Sequence, residues 1–159
     1  MKKINFLIKL NREGKLKVVE PNENLKESYI NKSKSSLKSA KILIDNDQIE
    51  DAVPMAYYSM YNMLTALLYN TGIKCENHSG SILLLKELFG INNSKISFAK
   101  TERVDKQYYV NFKISKQEVV NLMKTAEEFN STIFDFIDKM TSIQAERYKE
   151  QLEDSLQAE

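Results

Sequence analysis

From Val119 to Ile143, apolar side chains return every three or four positions. Val119, Leu122, Ala126, Phe129, Ile133, Phe136, Met140 and Ile143 keep that step for more than three heptads. It is the period of an α-helix, and it puts these residues on one face. A stripe of that length must be buried against other elements, so it commits the chain to packing long helices. Ser115 and Glu118 stand before it at capping-box spacing, which predicts a helix from Ser115 to at least Ile143. Beyond Ile143 the pattern gives way to Glu146, Arg147, Lys149 and Glu150, which reads as a solvated helical tail that frays.

Two further stripes supply the partners. Ile30, Ser33, Leu37, Ala40 and Ile44 step by three and four after Asn24, whose spacing to Glu27 predicts a helix start near Leu25. Val53, Ala56, Met60, Met63 and Leu67 repeat the pattern, and Tyr57, Leu64 and Leu68 widen it, as a central helix with several neighbours requires. Pro54 lies within the first turns of that helix, and Gly72 is placed to stop it. Shorter helices are expected at residues 3–11, 81–89 and 94–107. Val110, Phe112 and Ile114 alternate with polar residues, as in an extended connector. Only four glycines and two prolines interrupt 159 residues, which disfavours an all-β fold with its many turns. The expected architecture is all-α: an up-and-down antiparallel bundle of four to five helices. Residues 1–23 read as a short appendage, 24–143 as the bundle and 144–159 as the tail.

The residue inventory narrows the chemistry. One cysteine, Cys75, and one histidine, His78, cannot build a Cys/His zinc site. The helices carry no Glu-x-x-His pair, and the chain has neither a Walker A loop nor a dinucleotide-binding glycine fingerprint. No cofactor and no metal are therefore expected. No run of ~20 apolar residues exists, and the lone thiol suits a reducing compartment, so the expectation is a cytoplasmic protein without a membrane span. The formal net charge is +1, so any contact with nucleic acid must come from a local patch. Lys34, Lys38 and Lys41 make one basic stripe, which reads as a solvated face. Lys95, Lys100, Arg103, Lys106 and Lys113 make a second, interleaved with Phe98, Tyr108 and Tyr109. Cations mixed with aromatics can hold phosphates and stack bases. His78 precedes a helix, where the positive dipole end favours its neutral ring.

The second helix reads Ala56-Tyr57-Tyr58-Ser59-Met60-Tyr61-Asn62-Met63-Leu64-Thr65-Ala66-Leu67-Leu68, followed by Gly72 and then His78-Ser79-Gly80. This resembles the HEPN (higher eukaryotes and prokaryotes nucleotide-binding) domain family, and most of all its small prokaryotic branch. Gly14-Lys15-Leu16 to Pro21 is similar to that branch's opening, and Arg103-Val104-Asp105 with Tyr108 to its stretch before the last long helix. The likeness covers roughly residues 13–140. It implies a helical bundle, often a homodimer, with RNA or a nucleotide as ligand. It also implies an association with a minimal nucleotidyltransferase in toxin–antitoxin pairs, in which Tyr108 or Tyr109 would be a target for modification. Catalytic relatives are metal-independent RNases with Arg-x(4–6)-His, the arginine steadying phosphate and the histidine moving protons.

Here the sequence departs from the motif. Lys74 stands four positions before His78, and Tyr108 and Tyr109 stand where a histidine should follow Arg103. An ordinary phenol, with a pKa near ~10, is a weak base at neutral pH. The expected function is a non-catalytic module that binds RNA, a nucleotide or a partner nucleotidyltransferase through Lys100, Arg103, Lys106, Tyr108 and Tyr109. One alternative is an RNase toxin with Arg103, Tyr108 and His78 as its catalytic set. The other is a structural bundle that dimerises through Tyr58, Tyr61 and Tyr69.

Overall fold

The computed structural model describes residues 2–108 and 113–158, with the side chains of Lys2, Lys106, Gln107 and Tyr108 outside that description. Among the described residues, seven helices and a two-stranded ribbon follow one another: α1 (Lys2–Arg12), β1 (Leu16–Val18), α2 (Glu23–Asp45), α3 (Ile49–Asn70), β2 (Ile73–Cys75), α4 (His78–Glu87), α5 (Ser94–Tyr108), α6 (Lys116–Lys139) and α7 (Ser142–Gln157). The all-α expectation holds. The helix count exceeds four to five because α1 and α7 are helices in their own right.

α3 is the central element, packed against α2, α6, α5 and α4. Its stripe is buried as the spacing requires: Val53, Ala56, Met60, Met63 and Leu67, with Tyr57, Leu64 and Leu68 beside them. α2 brings Ile30, Ala40 and Ile44 to it, and α6 brings Val119, Leu122, Ala126, Phe129, Ile133 and Ile137. Small polar groups tie the three helices where they cross. Ser33 Oγ donates to the Ser59 carbonyl at 2.6 Å, and Asn130 Nδ2 donates to Ser59 Oγ at 3.2 Å.

The helix ends correct three expectations. Asn22, not Asn24, caps α2, its side chain accepting from the Leu25 N–H at 2.9 Å. Ser115 caps α6 as expected, but its hydroxyl donates to Glu118 Oε1 at 3.1 Å, so the carboxylate does not close the box on the backbone. Finally, the long stripe is not one helix. α6 ends at Lys139, and Thr141 with Gln144 forms a reciprocal capping box that starts α7. Ile143 is consequently 68% exposed. α7 is a packed helix rather than a frayed end: it buries Ala145 and Leu152, and Tyr148 meets Phe89 at 4.9 Å between ring centroids. Thr141→Ala is expected to cost about 1 kcal/mol, a fall of roughly 2–4 °C in the melting midpoint for a chain this long. Thermal denaturation followed by circular dichroism measures it, and an unchanged midpoint would show that the cap does not hold α7.

The ribbon has no counterpart among the expected elements, since its strands are three residues each. β1 and β2 pair antiparallel, Leu16 with Cys75, Lys17 with Lys74 and Val18 with Ile73. β2 leads straight into α4, and so fixes where His78 enters the molecule.

Candidate anion-binding site

Asn77 caps α4, its side chain accepting from the Gly80 N–H at 2.8 Å. The helix therefore begins at His78, earlier than the expected Ser81. A side chain on Gly80 would meet Leu10 Cδ1 at 2.5 Å, so this glycine lets α4 close onto α1. The three residues His78-Ser79-Gly80 thus have separate tasks: Gly80 docks the helix, and the other two face α3 and α5.

His78 Nδ1 lies 2.8 Å from the Tyr57 hydroxyl, and its ring stacks on Tyr61 with centroids 3.8 Å apart. From the other side Arg103 donates from Nη1 to the Tyr58 hydroxyl at 3.0 Å. Its guanidinium lies 5.1 Å from the Tyr57 ring centroid and 5.6 Å from that of Tyr58. Lys100, one turn earlier on α5, donates to Ser79 Oγ at 2.7 Å. Arg103 and His78, which are 25 residues apart in sequence, therefore share Tyr57 as a common support.

The electrostatics favour an anion. Burial holds the His78 imidazolium pKa below its usual value, and the charges of Arg103 and then Lys100 act in the same direction. The ring is neutral at neutral pH. Burial also pushes the Tyr57 and Tyr61 phenols up, so neither ionises there. Among the described residues, the buried Arg103 Nε has no hydrogen-bond partner. An orphaned buried donor costs about 1–3 kcal/mol.

Two tautomers satisfy the Tyr57–His78 bond. If Tyr57 donates to Nδ1, the ring proton sits on Nε2. If Nδ1–H donates to Tyr57, Nε2 is left as a base. Protonation of the ring breaks the first arrangement and adds a third positive charge beside Arg103 and Lys100. The folded state thus takes up a proton less readily than the unfolded chain, and stability falls as pH drops below His78's ordinary value of 6.5. Glu13 and Glu76, held down by hydrogen bonds from Lys15 and Lys74, titrate at lower pH than this window. A His78→Gln variant is expected to lose less stability than the parent between pH 7.5 and 5.5. Urea melts at both pH values measure this, and parallel losses would exclude His78 as the source.

The expected site residues divide. Lys100, Arg103 and His78 come together. Lys106 and Tyr108 belong to α5, but their side chains lie outside the described residues, and so does Tyr109. Of the wider basic stretch, Lys95 is paired with Glu128 at 3.0 Å, and Phe98 is 55% exposed. Lys34 rests over Phe134 at 5.7 Å. Tyr58, Tyr61 and Tyr69 each have a partner within the chain: Arg103, His78 and Tyr29. Tyr57 and Ser79 join the site without having stood out in the sequence. Three tyrosines within five positions of a buried helix were a usable signal, because each buried hydroxyl needs a partner. Among the described residues no three of His, Cys, Asp and Glu gather as metal ligands, and no helix is long and apolar enough to cross a membrane.

Sequence comparison identifies the family of this helical bundle. The model of the HEPN domain matches residues 26–136, and the chain belongs to that family. A UPF0332 protein of Pyrococcus horikoshii is 35% identical over 82 residues, 52% of this chain and 54% of the relative, so the match spans about half of that protein's length. A Methanocaldococcus jannaschii protein named "Putative toxin" is 27% identical over 117 residues, 72% of this chain and 84% of the relative. A UPF0332 protein of Archaeoglobus fulgidus is 28% identical over 109 residues, 65% of this chain and 87% of the relative.

Proposed function

We propose that this HEPN module binds RNA or a nucleotide by its phosphate groups at Arg103 and Lys100, and does not cleave it. The observation that carries this reading is the Arg103 guanidinium, held over two tyrosine rings one turn from Lys100, which sits on Ser79 at the start of α4. A planar guanidinium matches phosphate with two parallel donors. Lys100 adds charge beside the start of α4, where the helix dipole favours anions. Cleavage of a phosphodiester needs a base for the attacking hydroxyl and an acid for the leaving one. The cluster offers one neutral imidazole, and burial holds Tyr57 and Tyr61 as phenols.

A second reading has specific support, since Arg103 and His78 both rest on Tyr57. In that reading the module is a metal-independent RNase, with Arg103 on the phosphate and His78 Nε2 as base, in keeping with the toxin name of the Methanocaldococcus relative. Incubation of purified protein with RNA in EDTA separates the two. Retention of intact RNA by the parent and its loss by Arg103→Ala is the expected result. Cleavage that disappears in both Arg103→Ala and His78→Ala would establish the RNase instead. Neither binding nor cleavage would overturn both, and would direct attention to a protein partner such as a nucleotidyltransferase.

A further inference from the structure

Tyr61 has a second neighbourhood. Beyond it, between α2, α3 and β2, lies a cavity of about 290 Å³ lined by Tyr29, Tyr61, Thr65, Tyr69, Lys74 and Glu76, among others. Tyr29 and Tyr69 stand nearly parallel in its wall, with an interplanar angle of 12° and centroids 5.6 Å apart. Both are half-buried. Lys74 and Glu76 are paired at 2.9 Å and are each about half exposed, so a donor and an acceptor sit together at the same cavity. The two rings stack on each other and Lys32 lies 4.9 Å over that of Tyr29, so a flat ligand whose edge both donates and accepts would lie on the outer face of Tyr69, beside the paired polar groups.

The placement relative to the anion site is set by the helix itself. Tyr57, Tyr61, Thr65 and Tyr69 are four residues apart, so each neighbours the next along a flank that winds slowly around α3. Tyr57 carries the Arg103 guanidinium at one end, and Tyr69 lines the cavity at the other. At 1.5 Å per residue, the flank is roughly 18 Å long. Tyr61 joins the two, its ring stacked on His78 while it also lines the cavity.

We infer that this cavity is a base pocket, which takes one unpaired nucleobase of a nucleotide chain whose phosphate lies at Arg103 and Lys100. The inference rests on the phosphate-binding reading above and narrows its ligand. A base inside a duplex has both faces stacked and its pairing edge occupied, so it cannot enter. Across roughly 18 Å one nucleotide cannot place its base in the cavity and its phosphate at Arg103, so a single strand bridges the two sites and a free nucleotide fills the cavity alone.

The test uses the full chain and a fluorescently labelled mixed-sequence hexaribonucleotide, with binding read by anisotropy. Loss of one stacking contact weakens binding by roughly tenfold. Tyr69→Leu is expected to do so, while Tyr69→Phe, which keeps the ring, stays within about twofold of the parent. An abasic hexamer with the same phosphates tests the parent protein without any mutation, and is expected to bind about tenfold more weakly. A titration with nucleoside 5′-monophosphates identifies the source. Competition by the monophosphates assigns the pocket to a free nucleotide, and its absence alongside hexamer binding assigns it to a strand. Equal affinity for the natural and abasic hexamers, with Arg103→Ala weakening both, would overturn the base pocket and leave the phosphate site standing. A parent protein that binds neither hexamer nor monophosphate would overturn both.

Discussion

Gly72→Ala will lower the stability of the fold by roughly 2–4 kcal/mol, more than any other glycine-to-alanine change in the chain. Gly72 follows α3 with φ at +73°, a conformation in which an L side chain is strained. A Cβ there would also lie 2.4 Å from the Val19 carbonyl oxygen. That oxygen belongs to the backbone, which cannot swing aside as a side-chain tip can. The same spot ties the ribbon to the bundle, because the Val19 N–H donates to the Gly72 carbonyl at 2.8 Å and the Asn22 N–H to the Tyr69 carbonyl at 3.3 Å. Gly90 provides the comparison: its φ is +67°, but nothing lies within 4 Å of an added Cβ. Gly90→Ala should therefore carry only the conformational part, about 1 kcal/mol. At 2–4 °C per kcal/mol, the Gly72 variant is expected to melt roughly 5–15 °C below the parent. Equal midpoints for the two variants would mean that the Val19 contact relaxes without strain.

How far such features can be read from sequence depends on how many residues carry each one. The stripes on α2, α3 and α6 are repeated every turn, so single exceptions do not hide them, and most of their residues fill the core. A cap rests on one or two side chains. Asn22 and Asn24 both precede an apolar run, and only the chain path past Tyr69 decides that Asn22 takes the Leu25 N–H. The Thr141-x-x-Gln144 box has the same form as Ser115-x-x-Glu118. It lies inside a stripe that continues through it by the chance apolarity of Ile143, so periodicity masks the cap. Strands of three residues are too short to show alternation.

The site was legible in part for a related reason. Lys100, Arg103 and His78 stood out because charged and titratable groups are few in kind. Tyr57 did not, because it satisfied the core pattern, and its ring is indeed wholly buried. What the pattern could not say is that its hydroxyl end reaches His78 while its face carries Arg103. A side chain that serves the core with one part and the site with another looks, in sequence, like core alone.

On the phosphate-binding proposal, Arg103→Ala weakens RNA binding by roughly 10–100-fold with little loss of stability, and the two halves of that result belong together. A charge-assisted contact contributes about 1.5–3 kcal/mol, and at ~1.4 kcal/mol per decade this gives the expected range. Losing one phosphate contact should also reduce the dependence of log affinity on log salt by about 0.7 for a single strand. Stability responds differently. The stacked guanidinium contributes about 0.5–1 kcal/mol through Tyr57 and Tyr58, but its buried Nε has no partner among the described residues, and that defect costs about 1–3 kcal/mol. Removing the side chain gives up the stacking and the charged hydrogen bond to Tyr58, the latter about 1.5–3 kcal/mol, while it abolishes the orphaned donor, so the terms largely offset and the melting midpoint is expected to fall by only a few degrees. Arg103→Lys keeps the charge and gives up the planar fork and the stacking, and is expected to recover the salt dependence but only part of the affinity. A residue that holds the fold shows the reverse pattern: its loss lowers the midpoint, and affinity falls only as the folded fraction does. Anisotropy titrations at several salt concentrations, run beside thermal melts of the same three proteins, decide between them. An Arg103→Ala protein that melts well below the parent yet binds RNA equally well would make this arginine a structural strut, and the phosphate site would have to be sought elsewhere on the bundle.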